Sequence, residues 1–160
     1  MAAVAYFLKL DGVPGESKDA KHPGEIELES FSWGESNIGA AAGGGGGAAG
    51  KVQVEDLHVV MKESKASPLL FLTSVSGRLI KQAVLTGRKA GKAPVEFLVI
   101  KLTDVVVSSY HTGGGTAAAP DDQVSLNFGK IEFAFTAEGP DGKPEAPVKV
   151  GWDVKRNVKV

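Results

Sequence analysis

The clearest pattern in the chain is Gln123-Val-Ser-Leu-Asn-Phe-Gly-Lys-Ile-Glu-Phe-Ala-Phe-Thr136. Apolar residues take every second position before Gly129 and resume after it in the opposite phase. Strict alternation would place the two apolar sets on opposite faces of a strand. A β-bulge at Gly129 would return them to one face and bend the strand, as the corner of a barrel requires. The alternative is a strand with both faces buried.

Six further segments alternate in the same way, and the second and third of them in chain order also change phase midway. Glycine- and proline-rich turns separate the strands, so the pattern predicts a sandwich or small barrel that is mainly β. A length of 160 residues predicts one domain over residues 1–160. The six segments are residues 3–10, 25–36, 52–62, 80–88, 95–110 and 148–154, and the longer turns are residues 87–94, 113–122 and 139–147.

One helix is predicted over about residues 68–76. Ser67 is a suitable N-cap, Pro68 suits the first helical position and Gly77 suits the C-terminal stop. The helix has almost no polar face, so it needs cover on two sides. A sheet of the same chain covers one side, and a neighbouring subunit or a covering loop the other. The residues predicted for a subunit interface are Leu69, Leu70, Phe71, Leu72 and Val75. Residues 97–100, apolar throughout, are predicted to be buried on both faces, one of them a candidate subunit contact.

Residues 37–50 contain a low-complexity loop that is almost entirely glycine and alanine. It is either a flexible loop or a flap that orders against a flat partner surface, because glycine loses the most backbone entropy on ordering. The loop formally matches dinucleotide and phosphate-binding patterns. Both patterns require a following helix N-terminus, whereas residues 52–55 alternate like a strand, so both are rejected.

Composition excludes several classes of protein. Eighteen Lys and Arg against 19 Asp and Glu give a formal charge of −1, which argues against a nucleic-acid partner. The absence of cysteine excludes disulfide scaffolds and thiolate chemistry. No segment has the roughly 18 apolar residues of a membrane-spanning helix, so no membrane insertion is expected. The N-terminus lacks a basic leader, which predicts folding in the cytoplasm and export, if any, without a cleaved signal.

No catalytic or metal-binding constellation stands out. His22, His58 and His111 have no ligand-like spacing, and a solvated or core-satisfied histidine is the better interpretation of each. No serine lies in a nucleophile elbow. The sequence therefore predicts a protein that is not an enzyme and holds no cofactor and no metal.

Nine blocks together resemble the hemolysin-coregulated protein (Hcp) family, the tube protein of bacterial type VI secretion. They occur in order across nearly the whole chain, and the departures are Phe31 in place of a frequent tryptophan and an alanine-rich start to the glycine loop. The blocks are Tyr6-Phe-Leu-Lys-Leu-Asp-Gly12, Gly15-Glu-Ser-Lys-Asp19, Phe31-Ser-Trp-Gly34, Gly50-Lys-Val-Gln-Val-Glu-Asp-Leu57, Lys65-Ala-Ser-Pro-Leu69, Arg88-Lys-Ala-Gly91, Leu102-Thr-Asp-Val-Val-Val-Ser-Ser-Tyr110, Ser125-Leu-Asn-Phe128 and Ala146-Pro-Val-Lys-Val-Gly-Trp-Asp153.

The resemblance implies two packed β-sheets forming a barrel-like sandwich with one short helix. It also implies a homohexameric ring, stacked into a hollow tube inside a sheath and carrying a trimeric spike at its tip. Effector proteins would bind in the ring lumen and leave with the tube. Ser30, Ser32 and Gly34 are predicted to face that lumen if Phe31 and Trp33 face the core; the alternative is an ordinary solvent-exposed strand face. The residues predicted to reach the next ring are Gly43, Gly44, Gly45, Gly46 and Gly47.

Three other functions compete with this interpretation. A phage-like tail tube protein shares the architecture. A small-molecule or carbohydrate-binding β-barrel would need a concave aromatic pocket, and an aromatic content of 7% offers little material for one. A hydrolase effector would need a clustered base and nucleophile.

Overall fold

The computed structural model describes residues 3–37, 52–91 and 94–160. Within these ranges nine strands form one branched antiparallel sheet, and β4 and β5 form a separate two-stranded ribbon. The elements are β1 Val4–Leu10, β2 Ile26–Leu28, β3 Ser30–Ser32, β4 Glu35–Asn37, β5 Val52–Val54, β6 Leu57–Lys62, α1 Ala66–Ser76, β7 Ile80–Lys89, β8 Val95–Gly115, β9 Ala118–Phe135, β10 Val148–Asp153 and β11 Val158–Lys159.

The hairpin of β8 and β9 is the longest feature of the fold, and both of its strands change face at the same level. Thr103 pairs with Lys130 and Val105 pairs with Phe128, so the register is the same on both sides of Asp104 and Gly129. Asp104 takes a φ of 56° at this level. The bulge predicted at Gly129 is therefore wrong, because the two strands turn over together and neither gains an extra residue.

This joint change of face, here called the turnover, has the effect that was expected of a bulge: it returns the two apolar sets to one face. Leu126 and Phe128 before it and Ile131 after it all point into the core. The first half of β9 pairs with β6 on its free side, and the second half pairs with β10. The hairpin thus belongs to two different groups of strands, one at each end.

A second crossing lies between β2 and β3. The first of these strands pairs with β1 and the second with β6. At the crossing, the Glu29 N–H donates to the Val60 carbonyl over 2.8 Å. The sheet therefore folds over on itself into a barrel-like sandwich, and the predicted fold class is confirmed. The largest fully buried side chains fill the space between the layers: Leu8, Leu57, Met61, Leu70, Ile80, Leu85, Ile100, Leu102 and Leu126.

Two predicted boundaries were wrong. The turn expected over residues 113–122 is instead a continuation of the hairpin, which closes only at Thr116 and Ala117. Glycine and alanine give no alternating pattern, yet the backbone ladder needs no side chains. The segments 25–36 and 52–62 are each divided, because their phase changes are strand breaks. Of residues 97–100, Leu98 and Ile100 are buried, and the residues facing the other way are half-buried.

The helix α1 ends as predicted but begins earlier. Gly77 takes the left-handed conformation at its C-terminus, with φ 66°. Ser67 is not the N-cap, because the helix already begins at Ala66. The Ser67 hydroxyl instead donates to the buried Asp122 carboxylate and accepts the Ser64 N–H at 2.9 Å. The side chain that looked like a local cap thus fastens the helix to β9.

The loop of residues 14–25, here called the strap, crosses the outer face of β1. The His22 ring stacks on Phe7 at 4.5 Å, and both of its nitrogens lie 2.8 Å from carboxylate oxygens of Glu25 and Glu96. The Arg88 guanidinium carbon lies 5.1 Å from the centroid of the same phenyl ring, and Arg88 donates to both carboxylate oxygens of Asp19. The guanidinium holds the pKa of Asp19 well below its usual range.

The strap should make stability depend on pH. A carboxylate whose pKa is lowered by folding stabilises the protein above about pH 4, and this contribution is lost as the pH falls further. We expect Asp19→Asn to unfold at a lower urea concentration than the wild type at pH 7. The difference between the urea concentrations at which the variant and the wild type unfold should narrow as the pH is lowered from 4 to 2. Glu27→Gln, on an exposed residue, is the control; a difference for Asp19→Asn that is constant with pH would contradict the assignment.

Candidate interaction surfaces

Strand β3 presents two different faces. Phe31 and the following Trp33 pack against the core, whereas Ser30 and Ser32 are exposed. Gly34 is half-exposed just beyond the strand. The alternation assumed for these positions is therefore the one the backbone adopts.

The exposed serines belong to a larger surface, here called the polar face. One rung of the sheet places Ser32 beside His58, His58 beside Ser125 and Ser125 beside Ser109. The His58 Nδ1 and Ser125 Oγ lie 3.1 Å apart. The next rung holds Ser30, Val60, Gln123 and His111. Four strands thus share a surface of serine, histidine and glutamine side chains with one valine, and these two rungs include no carboxylate and no ammonium.

The four strands of the polar face end in open edges. Among the residues that the structure describes, β3 pairs only with β6. On the other side, β7 stops pairing with β8 at Val105, so residues 106–115 pair only with β9. Unpaired N–H and C=O groups along a strand are a ready template for another strand.

The helix α1 carries a second surface, which is apolar. Of the five residues predicted for an interface, Leu70 is buried and the other four are exposed, with Val75 reaching 64%. Leu79, just beyond the helix, is exposed as well. The sheet therefore covers one side of the helix, as expected, and leaves the other to solvent in the single chain. The helix patch consists of Leu69, Phe71, Leu72, Val75 and Leu79.

The helix patch adjoins a residue whose charge is suppressed. The Phe71 and Tyr110 rings lie 6.3 Å apart at a steep angle. Burial and the nearby Asp122 carboxylate raise the pKa of Tyr110. Tyr110 thus stays uncharged beside the patch at ordinary pH.

A third surface is an apolar groove that the sequence analysis missed. It is lined by side chains of β9, β10 and the segment after β3, has a volume of about 300 Å³, and contains both tryptophans of the chain. The rings of Trp33 and Phe133 lie 6.0 Å apart across it. The residues of this tryptophan groove are Trp33, Ile131, Phe133, Val150 and Trp152.

The glycine loop and the histidines are the remaining candidates from the sequence. Residues 43–47 of the glycine loop are outside the described residues. The strap holds His22, whereas His111 is exposed. Within the described ranges, no three His, Asp or Glu side chains gather in a way that would hold a metal ion. None of the described helices has the length and apolarity to cross a membrane.

Comparison with known proteins identifies the family of the chain. Residues 7–135 match the family described as "Type VI secretion system effector, Hcp". The chain belongs to the Hcp family. It is 43% identical to Protein hcp1 of Pseudomonas aeruginosa over 98% of this chain and 99% of that protein.

Solved Hcp structures have the same fold. Hcp1 from Salmonella typhimurium superposes with a TM-score of 0.81 at 32% identity, covering 100% of both chains. A structure described as a type six secretion system protein superposes with a TM-score of 0.92 at 28% identity, over 99% of this chain and 100% of that one. The resemblance to the Hcp family noted from the sequence is confirmed.

Shortening a side chain on the buried side of α1 should change the free energy of unfolding more than shortening one on the exposed side. We expect Leu70→Ala to lower the free energy of unfolding by ~2–4 kcal/mol, because it leaves a cavity in the core. Leu72→Ala removes an exposed side chain and should change it by no more than about 0.5 kcal/mol. Urea unfolding of dilute protein measures both. Equal losses for the two variants would mean that the helix faces the core differently.

Proposed function

We propose that this Hcp-family chain is a structural subunit of the type VI secretion tube, with six copies forming a ring and rings stacking into a hollow tube. The observation that carries the proposal is the polar face, a four-stranded surface of small side chains with an open edge on each side. In a single copy, the backbone N–H and C=O groups along these two edges have no partner strand within the described residues. Copies placed edge to edge continue the polar face and satisfy the unpaired backbone groups.

The directions of the two edges suit a closed ring. Successive strands of the polar face are antiparallel, so β3 and the second half of β8 run in opposite directions. Placing the β3 edge of one copy beside the β8 edge of the next therefore makes an antiparallel pair. This contact joins two different surfaces, which is the kind of interface that closes by rotation.

The strand spacing gives the size of the opening. Strands lie about 4.8 Å apart, so four strands per copy and six copies give a circumference of about 115 Å and a backbone-to-backbone diameter of about 37 Å. Side chains narrow such an opening. It would admit a small folded protein.

The polar face would then line the lumen, with Ser30, Ser32 and Gly34 exposed to cargo. Short hydroxyl side chains can hydrogen-bond to an effector protein without a large apolar contact area that would hold it permanently. The family membership supports this role. The protein would act as carrier of effectors without being an enzyme.

The remaining parts of the assembly rest on the family alone. The glycine loop at residues 43–47 would lie against the next ring, where the lack of side chains permits close backbone approach. Sheath subunits would surround the tube and a trimeric spike would close its tip. The chain would assemble in the cytoplasm and leave the cell with the tube, without a cleaved signal.

The mass of the protein in solution tests the ring directly. We expect light scattering to give about 100 kDa, which is six copies of a 16.6 kDa chain, and negative-stain images of the same peak to contain rings. A 16.6 kDa species that persists at high concentration would contradict the proposal and favour a ligand-binding β-barrel.

A substitution in the polar face tests the lumen. Ser32→Gln lengthens a side chain in the opening, so we expect several-fold less effector protein to co-purify with the rings from cells that express the secretion system. Ring mass and thermal stability should match the wild type. Ser36→Gln, an exposed serine on β4, is the matched control. Unchanged effector recovery with Ser32→Gln would remove this residue from the lumen.

A further inference from the structure

We propose that the helix patch of one copy binds in the tryptophan groove of the next copy, as the lateral contact of the ring. This inference rests on the proposed function and names the surfaces that meet. It accounts for the two unpartnered apolar surfaces of the described chain with a single contact.

The two surfaces match in charge. No charged residue occurs between Ala66 and Ser76, and Arg78, which precedes the patch residue Leu79, directs its guanidinium against Gly12. The lining of the groove is apolar apart from Lys159, and Glu35 lines the adjoining pocket. Contact would bury apolar side chains from both surfaces, and Lys159 is the charged group that would have to stay at the rim.

The two surfaces lie on opposite flanks of the fold. The helix packs against β8, on one side of β9. The groove includes β10, which pairs on the other side of β9, and Trp33, which follows β3. A copy can therefore offer its patch to one neighbour and its groove to the other. The same contact repeated around an axis gives a ring, whereas a patch that met its own counterpart would stop at a dimer.

The flanks are also those that carry the open strand edges. The edge of β8 at residues 106–115 lies on the same side as the helix, and the edge of β3 leads into Trp33. Strand pairing beside the lumen and apolar packing away from it would thus form one continuous interface.

The exposed area of the helix patch is large enough to supply most, but not all, of one partner's share of a stable interface. Its five side chains together expose on the order of 500 Å², which is near the upper end for apolar patches on monomers. A standard interface takes about 800 Å² from each partner. The strand edges would supply the difference.

The chain contains no cysteine, so two introduced thiols can test the contact without background. We expect the double variant Leu72→Cys, Val150→Cys, treated with a short bismaleimide, to give a covalent ladder that ends at six copies. A mixture of the two single variants should give linked dimers. The pair Leu72→Cys, Lys18→Cys, with the second thiol on the exposed strap, is the control and should give no ladder.

The other possible results all contradict the inference, and each of them can be told apart from the rest. Linked dimers from Leu72→Cys alone would mean that the helix patch meets another helix patch. Rings of the expected mass without any ladder would leave the proposed function standing and remove only this contact. The absence of rings in the wild type would remove both.

Tryptophan fluorescence gives an independent measurement, because both tryptophans of the chain line the groove. We expect Leu72→Glu to lower the solution mass below that of the ring, to shift the emission to longer wavelength and to increase quenching by acrylamide. A Leu72→Glu variant that keeps the ring mass and the wild-type emission would overturn the inference, and would assign the helix patch to a different partner, such as the sheath.

Discussion

The fold depends on the joint turnover of two paired strands at Asp104 and Gly129. The register does not change across this level, since Thr103 pairs with Lys130 and Val105 with Phe128, and it shifts only further along, between Val107 and Ser109. Turning both strands over keeps the ladder and moves each apolar set back into the core. Asp104 adopts the left-handed conformation that this requires, which Asp tolerates better than most residues. A Cβ at Gly129 would lie in ordinary contact with the Asp104 Cβ, at 3.4 Å, and at 3.1 Å from the end of the flexible Lys155 side chain.

The same turnover decides which surfaces can be partnered within one chain. After Val105, β8 has no strand on its outer side within the described residues, and the helix occupies that flank with one apolar side inward and the other outward. After Gly129, β9 pairs with β10, which carries Trp152 and Val150 to the opposite flank. Open edges, helix patch and tryptophan groove are consequences of one change of direction in the central hairpin.

Sequence patterns predicted what depends on neighbouring residues and missed what depends on distant ones. The alternation on either side of Gly129 predicted the bend, and Gly77 predicted the end of the helix, because both signals are local. Ser67 has the chemistry of an N-cap, but its hydroxyl binds Asp122, and no local pattern announces that contact. The tryptophan groove joins residues near the two ends of the chain, so the only sign of it was that Trp33 and Trp152 both fall in blocks shared with the Hcp family. The orientation of Ser30 and Ser32 followed from alternation with Phe31, whereas their neighbours across the sheet depend on register.

If the polar face lines the lumen as proposed, its composition has a consequence for the conditions under which cargo would be held. Ion pairs between exposed groups weaken as dissolved salt screens them, over a distance of about 10 Å at 0.1 M. The rung of Ser32, His58, Ser125 and Ser109 offers hydroxyl groups and an imidazole, whereas the neighbouring positions on or next to the same strands carry charge at Asp56 and at the Lys62–Asp121 ion pair. A carrier lined in this way would hold its load at the central rungs by hydrogen bonds and fit, and only that part of its grip would change little between the interior of one cell and the different ionic strength of the medium or cell beyond.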